Sequence, residues 1–278
     1  MRLIQASRIW EGHPAADGGS CPRLVLLASL AGIFMASAWT TAGWSLAMAG
    51  MGGIPMPGGW MMSMMWLPIC GWSWPGLAAS FLAMWSVMMA AMMLPGLTPA
   101  LWRHHEALIR MRRPHPGRLV ASIGLGYLSV WAVIGCVVFV SGAAFASMAV
   151  KLPALAHATP LLAGLVVALA GAWQLSPWKA RRLRCWRRWP KIKFAGRRPM
   201  LAALREGLRL GAHCAINCAG LTAVLLATGM MDLHIMAAVT VATLVERLAP
   251  DGVLAARLIG TAIIGSALVL VAHATGLA

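Results

Sequence analysis

Residues 77–141 read LAASFLAMWSVMMAAMMLPGLTPALW (77–102), RHHEALIRMRRPHPGR (103–118) and LVASIGLGYLSVWAVIGCVVFVS (119–141). Two long apolar runs flank a connector that holds five arginines and one acid. A helix rises about 1.5 Å per residue, so either run is long enough to cross a hydrocarbon core of about 30 Å. The arginines belong on the cytoplasmic face, where headgroups are anionic. This alternation predicts an all-α, polytopic helical membrane protein.

Working outward, further apolar runs occupy Leu24 to Met48, Leu161 to Trp178, Leu210 to Met230, Leu233 to Val245 and Val253 to His273. With Leu77 to Trp102 and Leu119 to Ser141 they make about seven spans. The domain reading is a cytoplasmic tail over 1–23 and a single helical membrane domain over 24–278. Pro95 should kink the second span, since its missing N–H leaves the carbonyl of Ala91 without a helical donor. KLPALAHATP (151–160) reads as a short outer loop, and Met231 and Asp232 as an outer turn. The sixth run is short unless Glu246 and Arg247 snorkel to the interface. Lys179 to Arg209 carries 12 Lys and Arg against the single acid Glu206, so this basic loop (179–209) stays cytoplasmic. Every basic connector then falls on one side, with the N-terminus inside.

Composition agrees. Of 278 residues 60% are apolar and 11% charged, too few polar side chains to cover a water-soluble globule. The net charge of +16 sits in connectors between apolar runs, which makes anionic lipid headgroups the expected partner and argues against nucleic acid. The first 22 residues are too polar for a signal peptide, so the first span is expected to direct insertion itself. Cysteines at 21, 70, 136, 185, 214 and 218 show no disulfide framework. A phosphate-binding Gly loop, a nucleophile elbow and a paired-histidine zinc motif are all missing, so an enzyme is not expected.

Three features carry chemistry. In the second span Met84, Met88 and Met92 recur every four residues, and Met89 and Met93 form the neighbouring row. Methionine is flexible packing material, but the same rows also form a thioether ladder of the soft kind that prefers Cu(I). The external loop (49–76) and its approach repeat the bias, with Met48, Met51, Met56, Met61, Met62, Met64 and Met65 among Gly and Trp. That loop either inserts into the interface or collects a soft metal, with Cys70 as its thiol. The fifth span opens GAHCAINCAG, which sets Cys214 and Cys218 one turn apart on one helical face. His213 and Asn217 form the adjacent row. His104, His105 and Glu106 read as solvated groups or a metal exit site, Asp232 as a helix cap, Glu246 as an intramembrane carboxylate or a partner of Arg247, and Gln174 as an interhelical hydrogen-bonder.

MWSVMMAAMMLPGLTPALW (84–102), AGAWQLSPWK (170–179) with its basic loop, and GAHCAINCAG (211–220) running into GMMDLHIMAAVTVATLVERLAP (229–250) together resemble a bacterial family of predicted metal-binding integral membrane proteins. Some members are named copper chaperones for tyrosinase-type oxidases. The resemblance, over about residues 77–265, implies a Met motif at Met88, Met89, Met92 and Met93 and two family cysteines at Cys214 and Cys218. Family members commonly carry adjacent cysteines where this chain has Asn217 and Cys218, and further cysteines after the Gln-x-x-Pro segment, where this chain has Cys185. The expected function is Cu(I) binding and delivery to a copper enzyme or carrier in a bacterial inner membrane. Met84, Met88, Met89, Met92, Met93, His213, Cys214 and Cys218 form the candidate metal set. Two rivals stand beside it: a secondary transporter or channel, and a structural subunit that anchors an oxidase.

Overall fold

The structure, a computed structural model, describes residues 20–68, 73–187 and 198–275. Residues 1–19 of the N-terminal tail, Cys70 and residues 188–197 of the basic loop lie outside the described residues. Helices α1 (Ser20–Met51), α2 (Trp74–Arg110), α3 (Pro116–Lys151), α4 (Pro153–Leu175), α5 (Pro177–Arg187), α6 (Pro199–Thr228), α7 (Leu233–Leu248) and α8 (Gly252–Thr275) follow in order. A two-stranded antiparallel hairpin, β1 (Ile54–Met56) and β2 (Trp60–Met62), interrupts them between α1 and α2. The all-α expectation holds. Six helices, all but α5 and α7, are long and apolar enough to cross a membrane.

Proline explains several boundaries. It sits in the first turn of α2, α3, α4 and α6, where a missing N–H costs no intrahelical hydrogen bond. This is why KLPALAHATP is not a loop: α3 runs to Lys151, α4 starts at Pro153, and Leu152 alone separates them. Within α2, Pro95 and Pro99 are both accommodated in one helix. The Thr98 hydroxyl donates to Leu94 O and Arg103 Nε to Pro99 O, side-chain donors supplementing the backbone ladder around the prolines.

The basic loop also differs from expectation at both ends. Its start forms α5, and its end is the first third of α6, since Ala, Leu, Arg and Glu over 201–209 are good helix formers. Of residues 49–76, the described part between α1 and α2 folds into the β1–β2 hairpin and a short helical turn over Met64–Trp66. Met56 and Trp60 close the hairpin around Gly58 and Gly59, both at positive φ. Trp60 Nε1 donates to Ala156 O at 2.9 Å at the start of α4. Trp66 packs on Phe81 of α2 with ring centroids 5.4 Å apart. The turn after α6 is tied to α1, where the Ser45 hydroxyl donates to Met231 O.

Helix α6 is the centre of the bundle, packed on α3, α4 and α7. A Cβ at Gly207 would run into the Ile123 backbone, and one at Gly211 would lie 2.9 Å from Tyr127 O, so the α3–α6 crossing needs a stripe without side chains. On the other flank a Cβ at Gly220 would come within 3.1 Å of Ala170 O of α4. Squeezed from both sides, α6 buries Cys214, Asn217 and Cys218. Large apolar side chains such as Leu46, Leu125, Val137, Leu165, Leu258 and Leu268 remain exposed around the outside. An apolar belt of this kind matches a lipid-facing surface.

Candidate metal centre

Cys214 sits midway along α6 and Met93 midway along α2. The i, i+4 spacing stacks the two thiols, whose Sγ atoms are 3.9 Å apart, and Cys214 Sγ is 3.8 Å from Met93 Sδ. All three residues are buried. Three sulfurs bound to one ion in a trigonal plane, at metal–sulfur bonds of about 2.3 Å, lie about 4.0 Å apart. Two edges of that triangle are therefore present. Among the described residues no three His, Cys, Asp or Glu side chains converge on a metal position. Beside the two thiols the third sulfur in place is the Met93 thioether.

The other methionines of the ladder are buried as well. Met84, Met88, Met89 and Met92 join Met93, Met230 and Met236 in the main core cluster. From Met84 to Met93 the rise is about 13 Å, so thioethers occupy α2 along a stretch leading from its first half to the cysteines. His213 stands apart. It is only partly buried, and its Nδ1 lies 3.4 Å from Arg182 Nη1, an environment that disfavours a cation at that nitrogen.

Sequence reasoning missed the groups that give the site its charge. Arg247 does not snorkel. Its Nη2 donates to Cys214 Sγ at 2.6 Å and to Cys218 Sγ at 3.2 Å. The Tyr127 hydroxyl donates to Cys214 Sγ at 2.9 Å. Two donors on one sulfur, one of them cationic, describe an acceptor sulfur ready to act as a thiolate ligand. Helix α7 begins beside the C-terminus of α6 and brings Arg247 to Cys214, so it returns antiparallel along α6 and stops at the depth of the thiols. Its 16 residues, about 24 Å of helix, are what that descent requires.

Glu246 turns the other way. Its carboxylate meets Lys179 Nζ at 2.8 Å and accepts from Gln174 Nε2 at 2.8 Å, and Lys179 also donates to Gln174 Oε1. All three are buried, although Lys179 opens a stretch that reads as solvated loop. Glu246 thus pairs with Lys179, not with Arg247, and Gln174 is an interhelical hydrogen-bonder as its position implied. At the far end of α2 His104 and His105 are buried rather than solvated, and His104 Nε2 lies 3.9 Å from Glu206 Oε1. Asp232 caps α7, accepting from His234 N at 2.8 Å and Ile235 N at 3.3 Å.

The family model described as PpoB2, copper chaperone, matches residues 82–270. The chain belongs to that family. The match begins two residues before Met84 and ends within α8, so it contains the methionine ladder, both cysteines, Tyr127, Lys179, Glu246 and Arg247. No curated protein and no solved structure matches the chain.

Proposed function

We propose that this copper-chaperone family member is a non-catalytic, multi-pass protein of the bacterial inner membrane that binds Cu(I) and hands it to a copper enzyme client or a copper carrier. The N-terminus faces the cytoplasm, and the arginines between α2 and α3 and on α5 lie against anionic headgroups. The observation that carries the reading is the meeting of two thiols and a thioether in one buried place, where the methionine run of α2 ends midway along that helix. Thiolate and thioether donors favour Cu(I) over hard cations, and a pair of thiols with one weak thioether holds an ion without trapping it. Met93, Cys214 and Cys218 hold the ion. Met84, Met88, Met89 and Met92 offer exchangeable contacts on the way to it.

The test is metal content. Protein purified in mild detergent from copper-supplied cells should carry copper in a fixed ratio to the chain, and Cys214→Ala with Cys218→Ala should remove it. Metal-free protein that supports flux in proteoliposomes would instead favour a transporter, and copper-independent co-purification of an oxidase would favour an anchoring subunit.

A further inference from the structure

Softness alone does not tell a sulfur site which charge to accept, because Cu(I), Ag(I) and Cd(II) all take thiolates. The surroundings of Cys214 and Cys218 carry that second kind of information. Once both thiols serve as ligands they contribute two negative charges. Arg247, in contact with both sulfurs, contributes one positive charge that a guanidinium does not give up. Lys179 and Glu246 cancel each other at 2.8 Å. The buried cluster is left with one net negative charge, one positive charge short of neutrality. A univalent ion closes that balance, whereas a divalent ion leaves a net positive charge in a buried, low-dielectric site, where an unbalanced charge is costly.

The fold makes room for this arrangement. A Cβ on Gly96 of α2 would lie 3.0 Å from Arg247 Nη1 and 3.2 Å from its Cδ. Gly96 is three residues beyond Met93, so the guanidinium lies over the same stretch of α2 that supplies the thioether. We propose that Arg247, admitted by Gly96, is the specificity residue of the sulfur site and makes it select a soft univalent cation over a soft divalent one. This rests on reading Met93, Cys214 and Cys218 as the metal site.

Ag(I) and Cd(II) separate charge from softness, and both give near-ultraviolet charge-transfer bands with thiolates. Each is titrated into the full-length protein in detergent against a competing dithiol, and the ratio of the two affinities is compared among variants. Arg247→Gln should shift the ratio toward Cd(II) by at least about tenfold, while Arg247→Lys, which keeps the charge, should stay within about threefold of the native ratio. Gly96→Ala, which crowds the guanidinium but leaves its charge, should shift it less than Arg247→Gln does. The native protein gives a reading that depends on no variant's folding: its Ag(I)-to-Cd(II) ratio should exceed that of a peptide with the same Cys-x-x-x-Cys and Met donors but no arginine by about tenfold. An unchanged ratio in Arg247→Gln, or a native ratio equal to the peptide's, overturns the charge-selection inference and leaves the metal site standing. Failure of both ions to bind in a Cys214- and Cys218-dependent way overturns the site and this inference together.

Discussion

Glu246 and Arg247 are neighbours at the end of α7, yet each belongs to a different buried cluster, and the clusters differ in whether they are complete. Around Glu246 one carboxylate meets one ammonium, and the Gln174 amide bonds to both. Charge and hydrogen bonds are satisfied, so the cluster has nothing to gain from a further ligand. It fastens α4, the start of α5 and α7 to one another. Around Arg247 a single cation faces two sulfurs, with a thioether and a phenol alongside. That cluster is polarised without being closed, which is the condition a transient ligand needs. A buried ionic group is thus a fastener or a site according to whether its partners already balance it.

The comparison breaks most visibly at the fastener. Glu246→Ala strands a buried ammonium, and removal of one partner of a buried pair typically costs about 3–5 kcal/mol. We expect a large fall in thermal midpoint and in yield from the membrane. The double change Lys179→Met with Glu246→Leu should recover most of the loss, because no charge is left unpaired. A double variant as unstable as the single one would mean that the pair does more than neutralise itself.

At the sulfur cluster the expected order is reversed, with a small structural effect and a large functional one. Cys214→Ser keeps the side chain's size and its hydrogen bonds to Arg247 and Tyr127, so the thermal midpoint should move little. Copper retention should be lost, since the thiolate that contacts both other sulfurs is gone. Maturation of a copper enzyme in cells lacking the native protein, at matched membrane levels, measures the functional half. Normal maturation with Cys214→Ser would remove this cysteine from the site.

The methionine ladder lies between these extremes. Leu is close to Met in volume, so Met88→Leu with Met92→Leu should cost under about 1.5 kcal/mol per position. If the thioethers contact copper, delivery at limiting copper should fall far more than that stability change accounts for. Full delivery would assign Met88 and Met92 to packing and leave the ladder's contribution to Met84, Met89 and Met93.

How much of this was legible in the sequence follows from range. The helix faces were local information: Cys214 with Cys218 and the methionine rows follow from spacing four, and most apolar runs became helices. Arg247 was not legible as a sulfur partner, because its contacts are 29 and 33 residues back along the chain and depend on α7 folding against α6. Lys179 was hidden by its neighbours. Hydropathy assigns a lysine at the head of a basic stretch to the loop, and only Glu246 across the bundle shows that it is buried. A carboxylate late in an apolar run, 67 residues after a lysine at the edge of another, was the signal that could have paired them. The hairpin went unseen because Gly and Pro mark a turn without saying which strands it joins.

The smallest expected effect belongs to Asp232, a carboxylate with neither the closure of the Glu246 cluster nor the poise of the sulfurs. It is exposed at the head of α7, and the backbone N–H groups of Ile235 and His234 hold its carboxyl below the usual carboxylate range. A group whose folded-state pKa is depressed stabilises the fold above its unfolded pKa and loses that contribution as pH falls through the folded value. The cap's contribution should therefore be complete from neutral pH down to roughly pH 5 and fade through the acidic range below the ordinary Asp value of about 3.9. Asn caps nearly as well as Asp but does not titrate, so Asp232→Asn should fall slightly below the native midpoint at neutral pH and match it only once the pH has dropped through the depressed value of the folded carboxyl. Thermal midpoints of the two proteins across that range make the comparison. A native protein whose midpoint tracks that of Asp232→Asn at every pH would show that the charge adds nothing to the cap, and the carboxylates that matter to this fold would then be the buried ones.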